Sequence, residues 1–100
     1  MSVFEERATE LVRRLVPEYE KMEFDADIGD TSYQITFFVW INGEKKQCYG
    51  LADEGLVNEQ IMDDLFAAYV DFVRKHNDYK KGAANIFTFS VSAQIDCNGI

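Results

Sequence analysis

Proline is all but missing from this chain: Pro17 is the only one in 100 residues, beside six glycines. So little of either argues against a loop-dominated structure or a proline-rich linker. Histidine is equally scarce. The single His76 follows the basic pair Arg74-Lys75, so a triad built on an imidazole would have to use it there. The two cysteines, Cys48 and Cys97, are far apart and lack neighbouring ligands, which argues against a metal centre; both read as reduced thiols. No apolar run approaches the length of a membrane span. Ser2-Val3-Phe4-Glu5-Glu6 leads into alternating charged and apolar residues instead of the continuous apolar core of a signal peptide, so a cytoplasmic location with no membrane partner is expected.

Positive charge is the other shortage. Ten Lys and Arg face eighteen Asp and Glu, for a net charge of −8. Phosphate-rich partners favour cationic surfaces, so direct binding to nucleic acid or to anionic membranes is disfavoured. A basic partner such as a nuclease suits the charge, although an acidic surface also serves solubility alone. What is abundant is apolar: 47% of the residues are hydrophobic and 14% aromatic, enough to build a core and unlike a disordered chain. At this length one domain, residues 1–100, is expected.

The acids are concentrated where the chain alternates. Met22-Glu23-Phe24-Asp25-Ala26-Asp27-Ile28 switches between apolar and acidic at every step. In a strand, successive side chains point to opposite faces, so Met22, Phe24, Ala26 and Ile28 turn to a core and Glu23, Asp25 and Asp27 form an acid row. Between Pro17 and Ser32 stand Glu18, Glu20, Glu23, Asp25, Asp27 and Asp30 against Lys21 alone. A second acidic run, Asp53 to Asp71, contains no base and competes with the strand as a docking site for a basic partner.

The rest of the chain is legible around that strand. Ser2-Val3-Phe4-Glu5 is a capping-box pattern, and Phe4, Ala8, Leu11, Val12 and Leu15 recur at helical spacing until Pro17 disfavours helix at Val16. Gly29-Asp30-Thr31-Ser32 predicts a turn. A strand follows over Tyr33 to Ile41, with Tyr33, Ile35, Phe37, Val39 and Ile41 inward and Gln34, Thr36, Phe38 and Trp40 outward. Asn42-Gly43 signals a two-residue hairpin, with a return strand from Lys45 to Leu51. Asn58 is a candidate N-cap for a helix carrying Ile61, Met62, Leu65, Phe66, Tyr69, Phe72 and Val73 to about His76. A last strand, Asn85 to Ala93, turns Phe87, Phe89 and Val91 inward, and Gln94 to Ile100 leaves room for a short fifth strand. The order α-β-β-β-α-β, with or without that strand, predicts an α+β two-layer sandwich, an antiparallel sheet with both helices on one face. The other face would carry Glu23, Asp25, Asp27, Thr36, Phe38 and Trp40, with Thr88 and Ser90 beside them.

Little in this pattern points to catalysis. Asp25 and Asp27 lie about 7 Å apart along a strand, and with Glu23 or Asp30 they could hold a cation. The glycine of Asp25-Ala26-Asp27-Ile28-Gly29-Asp30 is misplaced for a calcium loop, and a lone DxD is a weak signal for carboxylate chemistry. The reading is no catalytic residue, no metal and no cofactor, with a carboxylate metal enzyme on Asp25 and Asp27 as the outlying alternative. A contact surface fits better: acids for steering beside Phe38 and Trp40 as anchors. Homodimerisation through the same open sheet is the competing use.

The passage LVRRLVPEYEKMEFDADIGDTSYQITFFVW resembles the opening of the YezG-like immunity proteins, in which a helix ends in an I/V-P element before an aromatic, a Glu-Lys, an acid-containing strand and an aromatic-rich strand. The similarity continues more weakly through the second helix and Asn85-Ile86-Phe87-Thr88-Phe89-Ser90. The resemblance implies a cytoplasmic antitoxin of a polymorphic or contact-dependent growth-inhibition system, binding the C-terminal domain of a cognate toxin, often a nuclease. It further implies occlusion of a basic cleft by Glu23, Asp25 and Asp27, anchored by Phe38 and Trp40 and extended by Asp53 and Glu54. A small acidic secretion chaperone that holds an effector segment is the alternative, since such chaperones use an α-β-β-β-α-β-β order.

Overall fold

A computed structural model describes residues 2–92. The first helix, α1, spans Val3–Leu15 and is capped as its sequence requires: Ser2 accepts from the backbone N–H of Glu5 at 3.1 Å. It stops at Val16, which is extended before Pro17. Strands β1 (Lys21–Ile28) and β2 (Tyr33–Ile41) follow as an antiparallel pair, and β3 (Glu44–Gln47) returns through Asn42-Gly43. Asn42 and Gly43 both have positive φ, 52° and 79°, as a type I′ turn demands. The backbone N–H of Gly43 is also held by Glu20 Oε1 at 2.8 Å.

The return strand is shorter than its sequence suggests. Cys48–Asp53 forms a short helix, α2, where a strand to Leu51 was expected. Cys48 and Leu51 are both fully buried, and three residues apart they share one side of a helical turn. The helix α3 then spans Glu59–Lys75, with Asn58 accepting from Ile61 N–H at 3.0 Å, and β4 (Asn85–Ser92) closes the described chain. The expectation for Gln94 to Ile100, like that for Cys97, lies outside the described residues.

The sheet order is β3-β2-β1-β4, antiparallel throughout, so the acidic β1 lies at its centre. Met22, Phe24, Ala26 and Ile28 are buried, joined by Ile35, Phe37 and Val39 from β2. The helices cover this face: Phe24 meets Tyr69 at 5.2 Å and Phe37 meets Phe66 at 6.2 Å, both edge-on. Helices α1 and α3 run antiparallel, since Phe4 near the start of α1 packs on Phe72 and His76 at the end of α3. Removing the Phe24 ring from this junction should cost about 3–5 kcal/mol. Tyr33, expected inward, is 44% exposed at the start of β2, although its cross-strand partner Ile28 is fully buried.

One end of the sheet is tied by polar contacts. Arg74 donates from Nε and Nη2 to the Gly29 carbonyl at 2.9 and 2.6 Å, and Nη2 also reaches the Ser32 carbonyl at 3.3 Å. Asp30 accepts from the Tyr79 hydroxyl and from Gly82 N–H. Buried Asn85 donates to the Lys80 and Ala83 carbonyls at 3.0 and 3.1 Å. The turn before β2 and the loop before β4 are thereby fastened together.

Candidate functional site

The register places the expected residues on one surface. Residues directly opposite in neighbouring strands project to the same side, so the face away from the helices is built in four rows. Lys45, Trp40, Lys21 and Ser92 form the first; Gln47, Phe38, Glu23 and Ser90 the second. Thr36, Asp25 and Thr88 form the third, and Gln34, Asp27 and Ile86 the last. Five of the seven expected contact residues, Glu23, Asp25, Asp27, Phe38 and Trp40, therefore share this face.

Its two ends differ in chemistry. At the first, Phe38 and Trp40 are half-buried and not bare anchors. Lys45 Nζ stands 4.5 Å from the Phe38 ring centre and 5.2 Å from that of Trp40, and Lys21 Nζ is 4.9 Å above Trp40. Glu23 holds both ammonium groups, Lys21 at 3.7 Å and Lys45 at 3.9 Å. The aromatic pair is thus roofed by cations, and the charge of Glu23 is spent on that roof. These lysines were legible: a two-residue turn at Asn42-Gly43 obliges Lys45 to pair with Trp40.

At the other end, Asp25 and Asp27 are exposed, and among the described residues neither has a basic group within ion-pair distance. With Gln34, Thr36, Thr88 and Ile86 they line a shallow depression of about 370 Å³. Ile86 is 67% exposed and supplies the apolar contact beside the acids. Sequence reasoning passed over it, although an inward Phe87 obliges Ile86 to point outward. A second depression, about 500 Å³, shares Asp27 and Gln34 and continues past Asp30 and Tyr33. Asp30 has a structural task there. The hydrogen bond from Tyr79 is the main reason its carboxyl lies below the usual range.

Asp53 and Glu54 do not extend this patch. Lys46 pairs with Val39, a core residue, and so projects to the helix side of the sheet. Its ammonium is bound by Glu54 at 3.1 Å and by Glu44 at 3.4 Å. Asp53, at the end of α2, is exposed, as is Leu56 just beyond it. The second acidic run therefore forms a surface of its own around α2 and α3, away from the open sheet.

Other chemistry-bearing groups are engaged structurally. His76 ends α3, accepts at Nδ1 from Asp78 N–H at 3.1 Å and packs against Phe4 at 4.9 Å. Cys48 is buried, and burial pushes its thiol up, away from the thiolate. Among the described residues no group of three or more His, Cys, Asp or Glu side chains is arranged to hold a metal ion, and no helix is long and apolar enough to cross a membrane. Comparison with known proteins returns no match: no family model fits the chain, and no curated protein or solved structure is significantly similar to it.

Proposed function

We propose that this chain is an immunity protein, which binds a cognate toxin domain and neutralises it by covering a basic surface, a nuclease cleft being the best fit to the charge. The observation that carries the proposal is the Asp25–Asp27 end of the open sheet: two exposed, unbridged carboxylates on a central strand, with exposed Ile86 beside Asp27 on the neighbouring strand. A strand paired on both sides has its backbone already ordered, so presenting the carboxylates to a partner carries no backbone ordering cost. The lysine-rich end leaves the field at Asp27 largely intact. Lys21 and Asp27 are six residues apart along β1, about 20 Å, well beyond the screening length of about 8 Å at physiological ionic strength. A Lys or Arg of the partner meets Asp25 and Asp27, and its apolar neighbour meets Ile86. In this role the chain works by binding and catalyses nothing.

The residue pattern from Leu11 to Trp40 and the net charge of −8 support the same reading. The test is co-expression with the toxin domain encoded beside its gene. Growth should be rescued, and the two proteins should co-purify as a complex that weakens with salt. A toxin that stays active and unbound in the presence of this protein overturns the proposal. Binding only to an unfolded, extended segment of a neighbouring gene product would favour the secretion-chaperone reading instead.

A further inference from the structure

A different surface, on the helix layer, carries a second inference. Helix α3 has two apolar stripes. Met62, Phe66, Tyr69 and Val73 are buried against the sheet. Ile61, Leu65, Ala68 and Phe72 repeat the same spacing one residue earlier, four, three and four apart, which is the seam spacing of packed helices. This second stripe is not covered: Ile61 is 53% exposed, Ala68 is exposed, and Leu65 and Phe72 are half-buried. Its Leu65, Ala68 and Phe72, with Tyr69 and with Leu11 of α1, floor a groove of about 470 Å³ between the two helices.

The stripe is flanked by opposite charge on its two sides. On the α1 side stand Arg7, Arg13 and Arg14, with Glu10 among them. Arg7 lies 4.4 Å from the Phe72 ring centre, and among the described residues none of the three arginines has a carboxylate within ion-pair distance. On the outer side of the stripe, helical periodicity places Asp64 and Asp71, both exposed. Arg7 and Arg14 are seven residues apart, and so are Asp64 and Asp71, about 10.5 Å in each case. Because α1 and α3 are antiparallel and Arg7 is level with Phe72, Arg14 comes level with Leu65. Each arginine therefore stands at the height of one aspartate, across the stripe.

We infer that this surface pairs with a second copy of the chain. A two-fold axis parallel to α3 brings stripe against stripe and exchanges the charged flanks, so that Arg7 meets the partner's Asp71 and Arg14 meets the partner's Asp64. A two-fold axis across the helices would set arginine against arginine, so the charges select the parallel arrangement. The existing contacts of the aspartates do not compete strongly. Asp71 is bridged to Lys75 at 3.0 Å with both groups exposed, and Asp64 accepts from Gln60 at 3.1 Å. The helix face measures about 25 by 20 Å, or about 500 Å² in projection, smaller than the roughly 800 Å² per partner of a standard interface. The dimer is accordingly reversible and concentration-dependent. It leaves both open sheet faces outward, so it does not depend on the immunity reading.

Sedimentation velocity over a concentration series tests this. The full chain should shift from the mass of one chain to that of two as concentration rises. Ala68→Arg, a change at an exposed helical position, should abolish the shift, and circular dichroism reports whether the fold is kept. Arg14→Asp alone should weaken association roughly tenfold or more, and adding Asp64→Arg should restore it, because the swap regenerates the opposed pair. A chain that stays single at every concentration overturns the inference, as does a dimer indifferent to Ala68→Arg. A dimer lost in Arg14→Asp that the swap fails to recover overturns the charge pairing.

Discussion

The Lys45 ammonium stands 4.5 Å from the centre of the Phe38 ring while reaching Glu23 at 3.9 Å, so one side chain joins the aromatic strand to the acidic one across the open sheet. The half of that face richest in aromatics is therefore presented as positive charge. The half a basic partner can use is the one around Asp25, Asp27 and Ile86, where no lysine intervenes among the described residues.

Lys45→Ala should uncover Phe38 and take one of two ammonium groups off Trp40, which keeps Lys21 at 4.9 Å. Exposed cation–π contacts contribute about 0.5–1 kcal/mol, so a loss of that order in denaturant unfolding is expected. Trp40 is the only tryptophan, and its emission should become more accessible to acrylamide. Quenching unchanged from the parent would mean that the lysine does not shelter the ring.

Two buried tyrosines should respond oppositely to loss of their hydroxyls. Tyr69 donates to the Phe4 carbonyl at 3.0 Å and joins α3 to α1, and burial pushes its phenol well up. Tyr69→Phe should cost about 1 kcal/mol. The Tyr19 hydroxyl is buried with no hydrogen-bond partner among the described residues, so Tyr19→Phe should be neutral or stabilising. Urea titration of the two variants decides, and equal losses would contradict the account of Tyr19.

Asp30 gives the fold a pH-dependent fastening. Its folded carboxyl titrates below the unfolded value of about 3.9, chiefly through the Tyr79 hydroxyl. The contribution is therefore complete above that value and is lost as pH falls through the depressed folded value. Tyr79→Phe should lower the melting temperature at neutral pH and lose less than the parent on acidification. Parallel melting curves for parent and variant through the acid range would show that this bond does not matter.

The central strand was the most legible part of the chain. Strict alternation from Met22 to Ile28 permits one burial pattern, and Asn42-Gly43 permits one hairpin register, so the open face followed from local rules. Cys48 to Leu51 was not legible, because an apolar pair three apart suits a strand end or a helical turn, and tertiary packing decided for the helix. Ile61 read as core because it falls within the apolar run of α3. It is exposed because the sheet reaches only the stripe beginning at Met62. Glu54 read as part of the acid patch because sequence distance from β3 carries no information about sides of the sheet. The pairing of Lys46 with Val39 supplies it.

The most direct test of the central claim is the affinity of the cognate toxin domain for two double variants, measured by calorimetry at low and physiological salt. Asp25→Lys with Asp27→Lys changes the open sheet, and Asp53→Lys with Glu54→Lys changes the other acidic surface. The first should weaken binding roughly hundredfold or more and flatten its salt dependence, and the second should leave affinity within about threefold of the parent. Full affinity in the first variant, with the loss appearing in the second, would contradict the account and move the docking site to α2 and α3.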